Sequence, residues 1–193
     1  MNVYDFDETI LSGDSEYYFW DYIFKKHKNL KFYKLRLKFY HFLQKKLNLI
    51  EKTKAREKEY SFLKKLDNVD KDVEEFWGIY ASKVKDWYKK NHREDDVVVS
   101  ATPEFLLIPI MKKIGVNRLI ATVMDKKTGK ISGKFNNKGE KVNRFLQKFK
   151  KEDIECFYSD SLSDSPLAEI SPKAYRVRGE ELILWNESLN IKD

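Results

Sequence analysis

The strongest constraint on this chain is a set of short apolar runs that each stop at a carboxylate or a hydroxyl. Residues 1–5 (MNVYD) end at Asp5, with Asp7 two positions on; Val97–Val99 end at Ser100; Ile154–Tyr158 run into SDSLSDSP, which carries Asp160 and Asp164. Such runs suit strands buried on both faces. Helical text separates them, and strands alternating with helices argue for a parallel sheet whose ligand site lies at the carboxyl ends of its strands. In that sheet Asp5, Asp7, Ser100, Asp160 and Asp164 converge. The expected fold is α/β, a doubly wound, Rossmann-like parallel sheet formed by residues 1–14 and 95–193, with an α-helical insertion over 15–94.

The rest of the chain fills in around this frame. Pro103 opens an amphipathic segment to Ile114, residues 118–124 suit another strand, Lys138–Lys150 reads as a helix and Ala174–Val177 as a further strand. KKTGKISGKF, with Gly129 and Gly133, reads as two turns or a small hairpin. Between Ser15 and about Asn91 there is no proline, and Gly78 is the single glycine, so three or four helices fit. Within them Phe32, Leu35, Phe39, Phe42, Leu43, Leu47 and Ile50 recur at spacings of three and four, widened by Tyr33, Leu37 and Tyr40. A face this broad is expected to be helix-on-helix core.

Charge divides the chain the same way. Of 38 Lys and Arg and 31 Asp and Glu, residues 21–66 hold 15 and 4, leaving 23 and 27 elsewhere, so a basic insertion joins a mildly acidic body. A solvated helical face explains this, and so does attraction for a phosphorylated substrate, a polyanion or an anionic membrane. The single cysteine, Cys156, excludes an internal disulfide and fits a cytoplasmic protein. No apolar run approaches the roughly 18 residues of a membrane span.

Carboxylates gathered at one sheet edge need a cation or protons. Two like charges about 4 Å apart repel by about 4 kcal/mol at an effective dielectric of roughly 20. Oxygen donors without His or Cys suit Mg²⁺, which keeps several waters and a substrate phosphate oxygen in its shell.

DFDET (5–9), SATPEF (100–105), GEKVNRF (139–145) and YSDSLSDSPLAE (158–169) resemble the four ordered motifs of the haloacid-dehalogenase-like phosphohydrolases. The helical insertion between Thr9 and Ser100 resembles the cap of the phosphoserine-phosphatase-like branch. The resemblance implies a Mg²⁺-dependent phosphatase acting through an aspartyl-phosphate. Asp5 is then the nucleophile and Asp7 the acid and base. Ser100, the Ala101 backbone and Lys141 bind the phosphoryl group. Asp5, Asp7 through its carbonyl, and Asp160 hold the metal; Thr9 orients the first loop and Asp164 supports the site. The competing role for Asp160 or Asp164 is a cap on the helix beginning near Ser163.

An acid at position 7 suits an alkoxide leaving group, hence a phosphate monoester, whereas transfer to an acceptor other than water stays open. Phosphoserine itself fits less well, because Asp14 and Glu16 follow the first motif and Ala101 and Thr102 follow Ser100 in place of glycines. SATPEF looks more like the branch that includes a bacterial phosphatidylglycerophosphate phosphatase. The expected substrate is a small phosphorylated metabolite or a phospholipid headgroup, with peripheral membrane contact through the basic cap. The alternative from another class is an inactive scaffold whose basic insertion binds nucleic acid or an anionic membrane, with nucleic acid the weaker reading.

Overall fold

A computed structural model describes residues 1–45 and 51–189. Six strands form one sheet in the order β3-β2-β1-β4-β5-β6, from β1 (Asn2–Tyr4), β2 (Val97–Pro103), β3 (Arg118–Thr122), β4 (Cys156–Ser159), β5 (Ala174–Arg178) and β6 (Glu181–Leu184). The first five run parallel; β6 pairs antiparallel with β5 across a turn at Gly179, whose φ is +61°. The strand β6, which the apolar pattern does not announce, is an edge strand with mostly exposed side chains.

The two faces of the sheet bury alternate residues. Val3, Val97, Val99, Ile120 and Phe157 pack with Phe145 of α7 (Gly139–Leu146), Leu167 of α8 (Ser165–Ile170) and Trp185 of α9 (Trp185–Ser188). Tyr4, Val98, Ala121 and Val177 face the other way, onto α6 (Glu104–Lys113) and the helices between β1 and β2. The sheet is therefore covered on both sides, as expected of a doubly wound α/β core.

Among the described residues five α-helices lie between β1 and β2: α1 (Ser15–Lys26), α2 (Lys31–Lys45), α3 (Lys52–Glu59), α4 (Val69–Tyr80) and α5 (Asp86–Asn91). Asp14 caps α1 by accepting from the Tyr17 N–H at 2.9 Å, and Asn68 caps α4 through the Lys71 N–H at 3.0 Å. Val69, Val73, Phe76 and Trp77 give α4 its buried face, and the Trp77 indole N–H donates to the Leu106 carbonyl of α6 at 2.6 Å. The insertion thus shares one apolar cluster with the sheet.

The chain returns to the first loop before α5. The Ser12 N–H donates to Lys83 O and the Lys85 N–H to Ile10 O, while the Lys85 ammonium holds the Glu8 carbonyl. Trp87 and Tyr88 of α5 then pack on Tyr4 of β1, which stacks on Tyr158 of β4 at 4.7 Å between ring centroids. Two rings from within the expected 15–94 insertion, Trp87 and Tyr88, thus pack directly on the sheet.

The turns at 125–133 carry a single bridge, Met124 to Ile131, and Gly129 meets the cap closely. A Cβ there would stand 2.6 Å from the Tyr60 carbonyl oxygen, at φ +71°, so glycine is required.

One expectation fails. Phe32, Leu35, Phe39 and Phe42 are exposed by 66%, 65%, 56% and 49%, so they are not helix-on-helix core. Tyr33 and Leu37 pack on the apolar cluster instead. At about 100° per residue the helix carries two apolar stripes on nearly opposite sides, which a linear reading merges into one. Leu47, Ile50 and the side chain of Leu43 lie outside the described residues. Among the described residues no helix is long and apolar enough to cross a membrane.

Candidate active site

The chain leaves β1 for β2 and β3 on one side and then crosses back to β4 on the other. The gap between the ends of β1 and β4 is the switch point where α/β sheets leave a crevice. Asp5 follows β1 directly and Asp160 follows β4 directly, so the two carboxylates flank it.

Lys141, in the first turn of α7, reaches into this edge and is 3% exposed. Its Nζ donates to Asp5 Oδ1 at 2.7 Å and to Asp164 Oδ2 at 2.8 Å. The Ser159 hydroxyl donates to the same Asp164 oxygen at 2.9 Å. Asp164 is thus spent on positioning the ammonium. It makes no capping bond to α8, and the adjacent helical turn is capped by Ser161. Burial, which alone would discharge Lys141, is outweighed by Asp5 and Asp164, and its pKa is raised.

Thr9 is fully buried and accepts from the Asp160 N–H at 2.9 Å, with its hydroxyl 3.4 Å from Asp160 Oδ1. It ties the first loop to the fourth and contacts Asp160, not Asp5. The Asp160 carboxyl has no ion pair among the described residues. Burial first, then Asp5 and Asp164, push its pKa up to about 7. Asp5 is likewise pushed up to about 7, by burial against the pull of Lys141.

Asp7 is held from two directions. The Thr102 hydroxyl donates to Oδ2 at 2.6 Å and the Ser15 N–H to Oδ1 at 2.6 Å. Burial, with Asp14 second, raises its pKa to about 6 despite these donors. Thr102 carries no signal of its own beyond its place in SATP. It lies within an irregularity in the β2–β3 pairing between Val99 and Pro103.

Ser100 is 1% exposed, and its hydroxyl accepts from the Thr102 N–H at 3.1 Å. Register sets Tyr4 beside Val98, which brings Ser100 level with the residue after Asp5. Among the described residues no hydrogen bond joins Ser100 or Ala101 to Asp5 or Lys141. The Ala101 carbonyl accepts from Thr122 at 2.6 Å. Asn136, buried in a loop with no periodic pattern, donates to the carbonyls of Ser100 and Ile120 at 2.8 and 3.0 Å and fixes the end of β2.

The cap adds a buried polar group beside Asp7. Glu16 accepts from the Tyr60 hydroxyl at 2.6 Å and pairs with Arg56 at 2.9 Å, and Arg56 also meets Glu59 at 3.0 Å. Burial, opposed by Arg56 and aided by Asp14 and Asp7, pushes Glu16 up to about 8. The Arg56 guanidinium lies 5.2 Å from the ring centre of Phe135 and 5.7 Å from that of Trp20.

Among the described residues no three His, Cys, Asp or Glu side chains form a ready metal cage. The donor set nonetheless fits Mg²⁺, which takes one or two carboxylates and fills its shell with water and substrate oxygen. Asp160 and Asp5 repel one another, and Lys141 reaches Asp5 but not Asp160.

The family model for haloacid dehalogenase-like hydrolases matches residues 3–169. A protein of unknown function from Bordetella pertussis Tohama I superposes with a TM-score of 0.75 at 23% identity, over 90% of this chain and 87% of that one. A phosphoserine phosphohydrolase-like protein from Francisella tularensis subsp. tularensis SCHU S4 gives 0.59 at 17% identity, over 90% and 86%. A phospho-aspartyl intermediate analogue of phosphoserine phosphatase gives 0.53 at 15% identity, over 98% and 97%. At these identities the likeness is one of fold. No curated protein matches the sequence significantly.

Proposed function

The chain belongs to the haloacid dehalogenase-like hydrolases, and on that premise we propose that it is a Mg²⁺-dependent phosphatase that hydrolyses phosphate monoesters through an aspartyl-phosphate on Asp5. The observation that carries this reading is the meeting of Asp5, Lys141, and the Asp160–Asp164 loop, from three separate stretches of chain, at one sheet edge.

Asp5 attacks phosphorus as its carboxylate, the form that Lys141 favours in the folded site. As the bond to the leaving oxygen breaks, Asp7 gives that oxygen its proton. A carboxyl raised to about 6 keeps a larger protonated fraction near neutrality than an ordinary aspartate. Water then attacks the acyl-phosphate, giving its proton back to Asp7, and the phosphorus–Asp5 bond breaks to release phosphate. Thr102 and the Ser15 N–H keep the Asp7 carboxyl aimed through both steps. Lys141, the Ser100 hydroxyl and main-chain donors near Ala101 receive the charge spread over the phosphoryl oxygens.

Mg²⁺ would be held by Asp5, Asp160 and the Asp7 carbonyl, and when bound supplies positive charge to the phosphoryl oxygens. In this reading the Glu16–Arg56–Tyr60 group, in which Glu16 follows the Ser15 whose N–H holds Asp7, lines the leaving-group side. A leaving group with its own polar or anionic substituent suits that wall, as in a small phosphorylated metabolite or a lipid headgroup. The contacts of Lys141 with Asp5 and Asp164 favour this reading over an inactive scaffold.

The test is hydrolysis of an aryl phosphate, then of a panel of phosphorylated metabolites and headgroups, with and without Mg²⁺. A hydroxylamine-labile phosphoenzyme is sought in parallel. The native chain is expected to turn over and to trap phosphate, and Asp5→Asn to do neither. Equal turnover by both removes the covalent route.

A further inference from the structure

The phosphatase reading leaves one surface unused. On α2, Phe32, Leu35, Phe39 and Phe42 succeed one another at steps of three, four and three, so they fall within one stripe about 80° wide. All four are 49% exposed or more. The opposite side of the helix is already occupied, with Tyr33 and Leu37 packed on the cap core. The stripe is therefore not a core face left open by a neighbour's displacement; it points away from the body.

Its margins are basic. At about 100° per residue Lys31 and Lys38 fall along one border and Arg36 along the other. From residue 22 to residue 45 there are eight Lys and Arg and no Asp or Glu. Some of this charge is neutralised by neighbours: Lys25 and Lys34 meet Asp21 at 2.6 and 3.5 Å, and Lys26 meets Asp72 at 2.8 Å and Glu75 more closely. Lys28, Lys31 and Lys38 are exposed and form no ion pair among the described residues.

We propose that this face of α2 docks on an anionic phospholipid bilayer. The partner has to offer negative charge at the margins and an apolar medium between them. A headgroup layer over hydrocarbon provides both, and a lysine-rich helix that is polar on balance yet carries an apolar stripe lies in such an interface. A second copy of this chain would set the same positive margins against each other. A nucleic acid matches the charge but has no apolar interior for Leu35, which sits inside the stripe and cannot stack as a ring does.

The experiment is co-sedimentation of the full chain with vesicles of pure phosphatidylcholine and of equimolar phosphatidylcholine and phosphatidylserine. Binding is expected with the second alone, and at least about tenfold weaker in ~1 M salt, where screening shortens to about 3 Å. The double variant Leu35→Ser, Phe39→Ser is expected to partition about tenfold or more less, with its melting temperature and its Mg²⁺-dependent turnover of a soluble aryl phosphate unchanged. Phe39→Trp supplies an independent reading. The four native tryptophans are at most 9% exposed, so a blue shift on adding anionic vesicles, beyond that of the native chain, reports the stripe entering the bilayer. The proposal is overturned if the native chain ignores anionic vesicles at low salt. It is equally overturned if the double variant binds them as the native chain does, or if that variant loses RNA binding or self-association while vesicle binding is unchanged.

Discussion

Lys141 and Lys38 are the same residue in two opposite settings. Lys141 is sealed at the sheet edge between Asp5 and Asp164, where each of its bonds is fixed to within hydrogen-bond tolerance and its charge cannot be lost without stranding two carboxylates. Lys38 stands in solvent on a helix without acidic residues, beside Phe39 and near other lysines, with no partner of its own among the described residues. At the sheet edge charge acts through position, and one atom misplaced changes the chemistry. On α2 it acts through number, and any single member is replaceable. The same residue type thus serves a proposed reaction centre in one place, where carboxylates surround it, and a proposed adhesive face in the other, where apolar side chains do.

The comparison is most exposed to failure at Asp5. Asp5→Asn is expected to lower turnover by about 10⁴-fold or more, as removal of a covalent nucleophile does, whereas Lys38→Ala leaves turnover within about twofold. Steady-state assays on a soluble aryl phosphate measure both. A comparable loss from the two substitutions would mean that the cap charges, not the sheet edge, carry the reaction.

Lys141→Met comes next. It removes the proposed donor to the phosphoryl group and leaves the buried Asp5 and Asp164 without the ammonium between them. Turnover is expected to fall about 10²–10³-fold. The metal-free chain is expected to lose about 3 kcal/mol at neutral pH, as when one member of a buried pair is deleted. Denaturant melts of the two chains give the second figure, and an unchanged midpoint would show that the carboxylates find another partner.

A smaller effect of opposite sign is expected at Asp160. Its folded pKa, about 7, lies above the ordinary carboxylate value, so the protonated form suits the fold and the charged form strains it. The stabilising contribution of that proton is complete below the ordinary value and is lost as pH rises through about 7. Without metal, Asp160→Asn should therefore stabilise the chain by about 1–2 kcal/mol near pH 8 and by nothing near pH 4. Saturating Mg²⁺ should reverse the order near pH 8, because the native chain gains binding energy that the variant lacks. Thermal melts across that range decide it, and a gain that persists at low pH would point to packing in place of charge.

How far these contrasts are legible in sequence differs between the two regions. Strand ends are readable because an apolar run must stop where it meets a polar residue, and parallel topology then gathers the stops. Asp5, Asp7, Ser100, Asp160 and Asp164 all follow from that argument. Thr102 does not, because its bond to Asp7 is made from an irregularly paired part of β2 that no residue type announces. Asn136 acts by bonding two main-chain carbonyls from a loop without periodicity, so only the folded register reveals it. The strand β6 escapes because an edge strand with exposed side chains has no buried face to mark it. In α2 the failure is of a different kind: periodicity shows that a helix has an apolar face, but with two such faces it does not say which one the protein covers.

That ambiguity supplies the smallest and sharpest prediction, made within a single helix. Leu35 and Leu37 are two positions apart, equal in side chain and equal in helix propensity, and differ in the direction they point. Leu37 packs against the cap cluster, whereas Leu35 is 65% exposed. Leu37→Ala should destabilise the chain by about 1–2 kcal/mol, since it removes apolar contacts from a partly buried site. Leu35→Ala should change stability by no more than about 0.5 kcal/mol, as substitutions away from packed features do. Both chains keep the same charge and composition, so a difference between their melts isolates orientation. Equal losses would mean that the outer stripe is covered by something in the folded protein, and the contrast between a sealed site and an open adhesive face would have to be redrawn.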